Sequence, residues 1–227
     1  MRNAVLGFVL VFCAFGAQAQ GRVTFDDVLR DAEAALKSGD AAKAHHIAVT
    51  LANTALRDLH GKDARHPLQR AALLRAFAAR ALQLNSEAEW YWFVAKTLST
   101  SDGEMKLDGM SLMKPVELHR ITHRVGGEIK APVRTHSAEP IYPHASRMAR
   151  TEMPIILELL IDEHGVCRQP VVVSTNRDAA LEYAAMEAVG QWEFKPGTLN
   201  DQNVPVLFNL TINFKLTKET PPPPALP

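Results

Sequence analysis

Two cysteines in 227 residues cannot form a disulfide framework, and one of them, Cys13, falls in an N-terminal segment that reads as removable. Cys167 is then left without an intramolecular partner, which predicts a thiol buried in a strand. Charge of one sign is equally absent. The 25 basic and 25 acidic residues balance, and losing Arg2 with the N-terminal segment leaves about one net negative charge, so there is no electrostatic case for nucleic acid. Catalytic signatures are missing too. There is no Gly-x-Ser-x-Gly elbow, phosphate-cradling glycine loop, dinucleotide fingerprint, zinc-protease helix or paired-cysteine site. Glu158 and Asp162 are spaced along a strand with no acid-base partner in view. The chain reads as a non-enzyme with no cofactor, no metal and no small-molecule substrate. His119 and His123 would share a helical face, but no third ligand lies nearby.

Long hydrophobic runs are scarce as well. The longest, from Ala4 to Phe15, is short of the roughly 20 residues a membrane span needs. With Arg2 before it and Ala17-Gln18-Ala19 after it, it has the three-part layout of a secretory signal cleaved after Ala19. The expected location is therefore periplasmic, or inner-membrane anchored if the signal stays uncleaved. The remaining 208 or so residues can build two modest cores.

The expected domains are a signal peptide at 1–19, a helical domain at 20–100, a linker at 101–138, an α+β domain at 139–217 and a proline-rich tail at 218–227. Between Thr24 and Thr100 there is a single proline, Pro67, in a stretch rich in Ala, Leu, Arg and Glu. Four helices fit, at about 25–37, 41–59, from 67 to Leu82, and through Trp90-Tyr91-Trp92-Phe93 to Leu98. Ser38-Gly39-Asp40 supplies a glycine stop followed by a cap. The spacing of small residues loosely resembles tetratricopeptide helix pairs, although no common 34-residue register holds. Gly109, Pro115, Gly126-Gly127 and Pro132 punctuate the linker.

Beyond it the period changes from helical to alternating. Ile155, Leu157, Leu159 and Ile161 point one way, Asp162-Glu163-His164-Gly165 makes a turn, and Val166 to Ser174 returns. Pro170 predicts a bulge or an outward edge. Thr175 and Asp178 open a helix whose Leu181, Ala184, Ala185, Ala188, Val189 and Trp192 form a stripe for the hairpin. A final strand follows, with Val206, Phe208, Leu210, Ile212, Phe214 and Leu216 on the packed face and Leu207, Asn209, Thr211, Asn213 and Lys215 on the wet one.

Val125-Gly126-Gly127-Glu128-Ile129-Lys130-Ala131-Pro132, Pro140-x-Tyr142-Pro143, Asp162-x-x-Gly165-Val166, the helix from Leu181 to Val189, Trp192-x-Phe194-x-Pro196 and Asn213-Phe214 occur in one order. Together they resemble the C-terminal domain of TonB-family proteins over about 125–216. The resemblance implies a three-stranded antiparallel sheet with helices on one face, in an α+β chain with an all-α first half. It also implies that the final strand, Val204 to Leu216, receives an extended partner peptide, with an outer-membrane receptor segment as the candidate partner. The contact residues so implied are Val204, Val206, Leu207, Asn209, Thr211, Asn213 and Lys215, with Tyr142 and Pro143 as a second contact. A tyrosine holding a corner is the competing reading of Tyr142. Two alternatives stay open: an inner-membrane-anchored energy transducer for outer-membrane transport, and a cell-wall-binding envelope protein. A homodimer is a further option, and the tail from Pro221 to Pro227 reads as a solvated segment.

Overall fold

The computed structural model describes residues 24–100, 105–107 and 122–216. The expected signal peptide, His119 and the proline-rich tail lie outside the described residues. Four helices come first: α1 (Phe25–Lys37), α2 (Ala41–Asp58), α3 (Arg65–Ala81) and α4 (Asn85–Leu98). Their starts follow local chemistry. The Thr24 hydroxyl accepts the Asp27 N–H while the Asp27 carboxylate accepts the Thr24 N–H, closing a capping box on α1. Asp40 caps α2 directly after Gly39, whose φ of +86° ends α1. Alanines on α3, among them Ala71, Ala72, Ala76 and Ala79, are fully buried, and with no side chain beyond Cβ they let neighbouring helices approach closely. Trp90 and Tyr91 belong to the core, while Trp92 and Phe93 are half-buried and meet edge to face. Leu82, expected on the inner face of α3, is instead its exposed C-cap.

The second half contains β1 (His123–Arg124), β2 (Val133–His136), α5 (His144–Met148), β3 (Met153–Ile161), β4 (Cys167–Val172), α6 (Ala179–Val189), β5 (Glu193–Lys195), β6 (Gly197–Leu199), β7 (Gln202–Val204) and β8 (Val206–Phe214). The main sheet has the order β1-β8-β3-β4. Its three long strands are antiparallel, as expected, and the two-residue β1 is added parallel to β8. Two small ribbons, β2 with β5 and β6 with β7, flank it. Segment 122–136, expected as linker, thus supplies two strands.

The hairpin between β3 and β4 turns on Asp162. Its carboxylate accepts the N–H groups of His164 (3.0 Å) and Val166 (2.9 Å), and Arg168 closes the other oxygen at 3.1 Å. The register of β3 against β4 shifts between Glu158 and Leu160, with Gln169 at φ +50° beside Pro170, so the expected bulge is present.

Helix α6 differs from expectation in two ways. Its N-cap is Asp178 alone, which accepts the N–H groups of Ala180 and Leu181. It is also buried all round except at Glu187, because α2, α3 and α4 cover the side turned away from the sheet. The Gly61 N–H donates to the Asp178 carboxylate at 3.1 Å, tying the α2–α3 loop to the same cap. The two cores expected for the two halves are consequently one, running from Leu29 through Leu73, Val94 and Tyr183 to Phe214.

Cys167 sits in this core, its Sγ 3.7 Å from the Trp192 carbonyl. Burial, with Asp162 nearby, pushes the thiol up to about 12. Iodoacetamide at pH 8 is therefore expected to leave Cys167 unmodified in the native chain and to modify it in urea. Equal rates in the two conditions would contradict the packing described.

Candidate partner-binding margin

Which edge of the main sheet is available follows from backbone alternation. The Ile156 carbonyl accepts the Val173 N–H, so Ile156 is turned toward β4, and Ile155, Leu157 and Leu159 are turned toward β8. On β8 the partners of those residues, Ile212, Leu210 and Phe208, use their main-chain groups on β3. The alternate residues, Leu207, Asn209, Thr211 and Asn213, hold theirs outward. The His123 N–H donating to the Pro205 carbonyl at 3.0 Å shows the same phase from the other side.

The margin is closed at one end. His123 and Arg124 pair with Val206 and Leu207. Gly126 (φ +140°) and Gly127 (φ +57°) then carry the chain away to a bridge with Ile129, after which Lys130 exchanges hydrogen bonds with Thr198. The Arg124 guanidinium crosses β8 to reach Glu158 on β3 at 2.8 Å. From Phe208 to Phe214 no described residue pairs with the outer side of β8. The opposite edge is protected differently. Helix α4 lies along β4, where Thr97 donates to the Pro170 carbonyl (2.9 Å) and Arg168 pairs with Glu89 (3.1 Å).

The structure therefore divides the predicted contact residues. Val204 belongs to β7, where it pairs with Gly197, because Pro205 interrupts the long strand expected from Val204 onward. Val206 and Leu207 are paired with β1, and Val206 is also fully buried. These three are corrections to the predicted set. Asn209, Thr211 and Asn213 are exposed, with outward main-chain groups on the unpaired stretch. Lys215 lies just past β8, followed by Leu216, whose N–H donates to Glu152 at 2.5 Å.

Tyr142 and Pro143 do not line this margin as free contacts. The Tyr142 hydroxyl donates to the Thr151 carbonyl and its ring meets Phe214 edge to face at 5.4 Å, fixing α5 against the ends of β3 and β8. Pro143 is buried and N-caps α5. Strand β1, Arg124 and Glu158 were absent from the predicted set. A lone glutamate in the middle of an otherwise apolar β3 was the available signal for an ion pair on the wet face. Among the described residues no group of three or more His, Cys, Asp or Glu is placed to hold a metal ion.

The molecule defined by these features is a small α+β module in which, among the described residues, the outer side of β8 from Phe208 to Phe214 is unpaired, packed against a helical array. Residues 138–216 match the family model described as Gram-negative bacterial TonB protein C-terminal. The chain is 31% identical over 78 residues to "Protein TonB" of Vibrio cholerae serotype O1, covering 34% of this chain and 32% of that protein. It is 31% identical over 77 residues to "Protein TonB" of Xanthomonas campestris pv. campestris, covering 34% of each. By these matches residues 138–216 are similar to the C-terminal domain of TonB proteins. The chain spans about a third of the length of the curated relatives it matches. The family match starts at residue 138, so β1 and β2 precede it.

Proposed function

We propose that the chain is a periplasmic protein of the cell envelope that captures an extended segment of another protein on the outer side of β8, in the service of transport across the outer membrane. The observation that carries this reading is the row of outward main-chain groups at Asn209, Thr211 and Asn213, left open while the other sheet edge is covered by α4. A visiting strand would complete the ladder, with affinity drawn mainly from backbone and preference from side chains on alternate positions. The family resemblance supports a protein partner, with an outer-membrane receptor segment as the expected one, and a binding rather than a catalytic role. Periplasmic placement draws on the N-terminal segment and the family. No described helix is long and apolar enough to cross a membrane.

Thr211→Pro tests the reading cleanly, because the N–H it removes is directed away from β3 and the internal ladder is left whole. A net hydrogen bond of about 0.5–1.5 kcal/mol and the bulk of the ring against an approaching backbone predict roughly tenfold weaker capture. Thr211→Val keeps the N–H and should retain capture. Photo-crosslinking in intact cells from position 213, followed by mass spectrometry, measures both. Equal yields for the proline and valine variants, or equal yields from position 171 on β4, would remove β8 as the site.

A further inference from the structure

Strand β1 lies on the outer side of β8, in line with the stretch left open from Phe208 onward, with His123 and Arg124 beside Val206 and Leu207. It occupies the row that a visiting strand would use. What holds it there is slight. Over residues 122–130 no side chain is buried, so this arm brings no apolar anchor to the sheet, whereas β3 and β8 are locked together through Ile155, Leu157 and Ile212. Its fixings are a two-residue parallel ladder, the His123 N–H on the Pro205 carbonyl at 3.0 Å, and one ion pair, Arg124 with Glu158, in which the arginine side chain is 66% exposed. An exposed pair of that kind holds weakly. The root of the arm is firm by contrast. Lys130 exchanges hydrogen bonds of 2.9 and 3.2 Å with Thr198, and β2 follows on β5. Between the root and β1 stand Gly126 (φ +140°) and Gly127 (φ +57°), each with open space where a Cβ would lie, so the pivot has nothing packed on it.

We propose that β1 is a self-strand that shields part of the capture margin and gives way to the captured segment, which then pairs over residues 207–213. The proposal rests on the capture reading above and adds its regulation. Displacing β1 exchanges like for like. The main-chain groups of Leu207 and the Pro205 carbonyl pass from one backbone to another, and no buried side chain has to move. In the empty chain β1 covers that part of an exposed edge, which limits pairing with other chains. A segment too short to reach past Asn209 leaves β1 in place and draws on Asn209, Thr211 and Asn213 alone, so the device selects for length.

One measurement needs no partner. Hydrogen exchange in the full chain should show the amides of His123 and Leu207 exchanging together, about a hundredfold faster than that of Ile212, whose main-chain groups are used on β3. Glu158→Gln should speed both about two- to fivefold and leave Ile212 unchanged. A second measurement reads capture. Arg124→Cys with Leu207→Cys, Cα partners across the ladder, ties β1 down by a disulfide. Photo-crosslinking from position 213 in intact cells should fall about tenfold in the tied chain and recover when the disulfide is reduced. His123→Pro, which removes the donor to Pro205, should raise it severalfold. Exchange at His123 and Leu207 as slow as at Ile212, or crosslinking indifferent to the tie, would overturn the proposal and make β1 a fixed end of the margin. Crosslinking from 213 no stronger than from 171 in every chain, tied or free, would instead remove capture on β8, and this proposal with it, even where exchange shows β1 opening.

Discussion

Gly165→Ala is expected to leave little folded protein, with a loss of about 4 kcal/mol or more. Two demands meet at this residue. Its φ of +84° is one that a side chain resists by about 1–2 kcal/mol. A Cβ there would also stand 1.9 Å from the Phe194 carbonyl oxygen and 2.9 Å from its carbon. That neighbour is backbone and cannot swing aside. The Phe194 N–H donates to the Gly165 carbonyl at 3.2 Å, and its ring is held by Trp192 and Phe208. The β3–β4 turn and β5 would have to separate, exposing the end of the core that contains Cys167 and Trp192. Against a total stability of about 5–15 kcal/mol such a loss is decisive. Gly127→Ala is the control, because Gly127 also has positive φ (+57°) but nothing within 4 Å of the place its new methyl group would take. Urea midpoints should show Gly127→Ala costing about 1–2 kcal/mol. Equal losses at the two positions would mean that the approach of Phe194 is not the constraint.

The four leading helices were legible because their ends are written in side chains: Gly39 before Asp40, Pro67 in a first turn, and an apolar stripe on each. Strand β8 was legible for a similar reason, since Phe208, Leu210, Ile212 and Phe214 alternate with polar residues at the period a one-sided sheet imposes. What covers a face is written elsewhere in the chain and was harder to see. Reading Leu181, Ala184, Ala185 and Ala188 as one stripe accounted for the sheet side of α6. Ala180, Tyr183 and Met186, lying off that stripe, were the sign of a second buried face. The candidate margin was legible in its side chains and illegible in its limits. Whether main-chain groups are free depends on what lies beside them, and a pair such as His123-Arg124 has no periodicity to announce that it closes part of β8. Pro205 did carry a readable message. It separates β7 from β8, and so removes Val204 from the open stretch.

Arg177→Ala is expected to cost about 3 kcal/mol, and the reason lies in the position of Glu182. That carboxylate is fully buried inside α6, held by Arg177 through two contacts of 2.6 and 2.9 Å and by Arg65 through a longer one of 3.4 Å. Removing Arg177 leaves a buried charge with its weaker partner alone, the situation in which breaking a pair typically costs 3–5 kcal/mol. The lower end applies because Arg177 is 38% exposed, and water entering the space it leaves softens the loss. Glu182→Gln should cost less, about 1–2 kcal/mol, since it removes the buried charge and leaves an arginine that can turn to solvent. The double variant should then be more stable than the two single losses added together, with a coupling of at least about 1.5 kcal/mol in a double-mutant cycle. Arg65 belongs to α3 and Glu182 to α6, so the second contact of this carboxylate, unlike the Arg177 pair, joins the helical array to the second half of the molecule. Melting should therefore move as one transition in tryptophan fluorescence and in helical dichroism alike. A coupling near zero would show the pair to be screened by water, and two separate transitions would show that the shared core does not bind the helical array to the sheet.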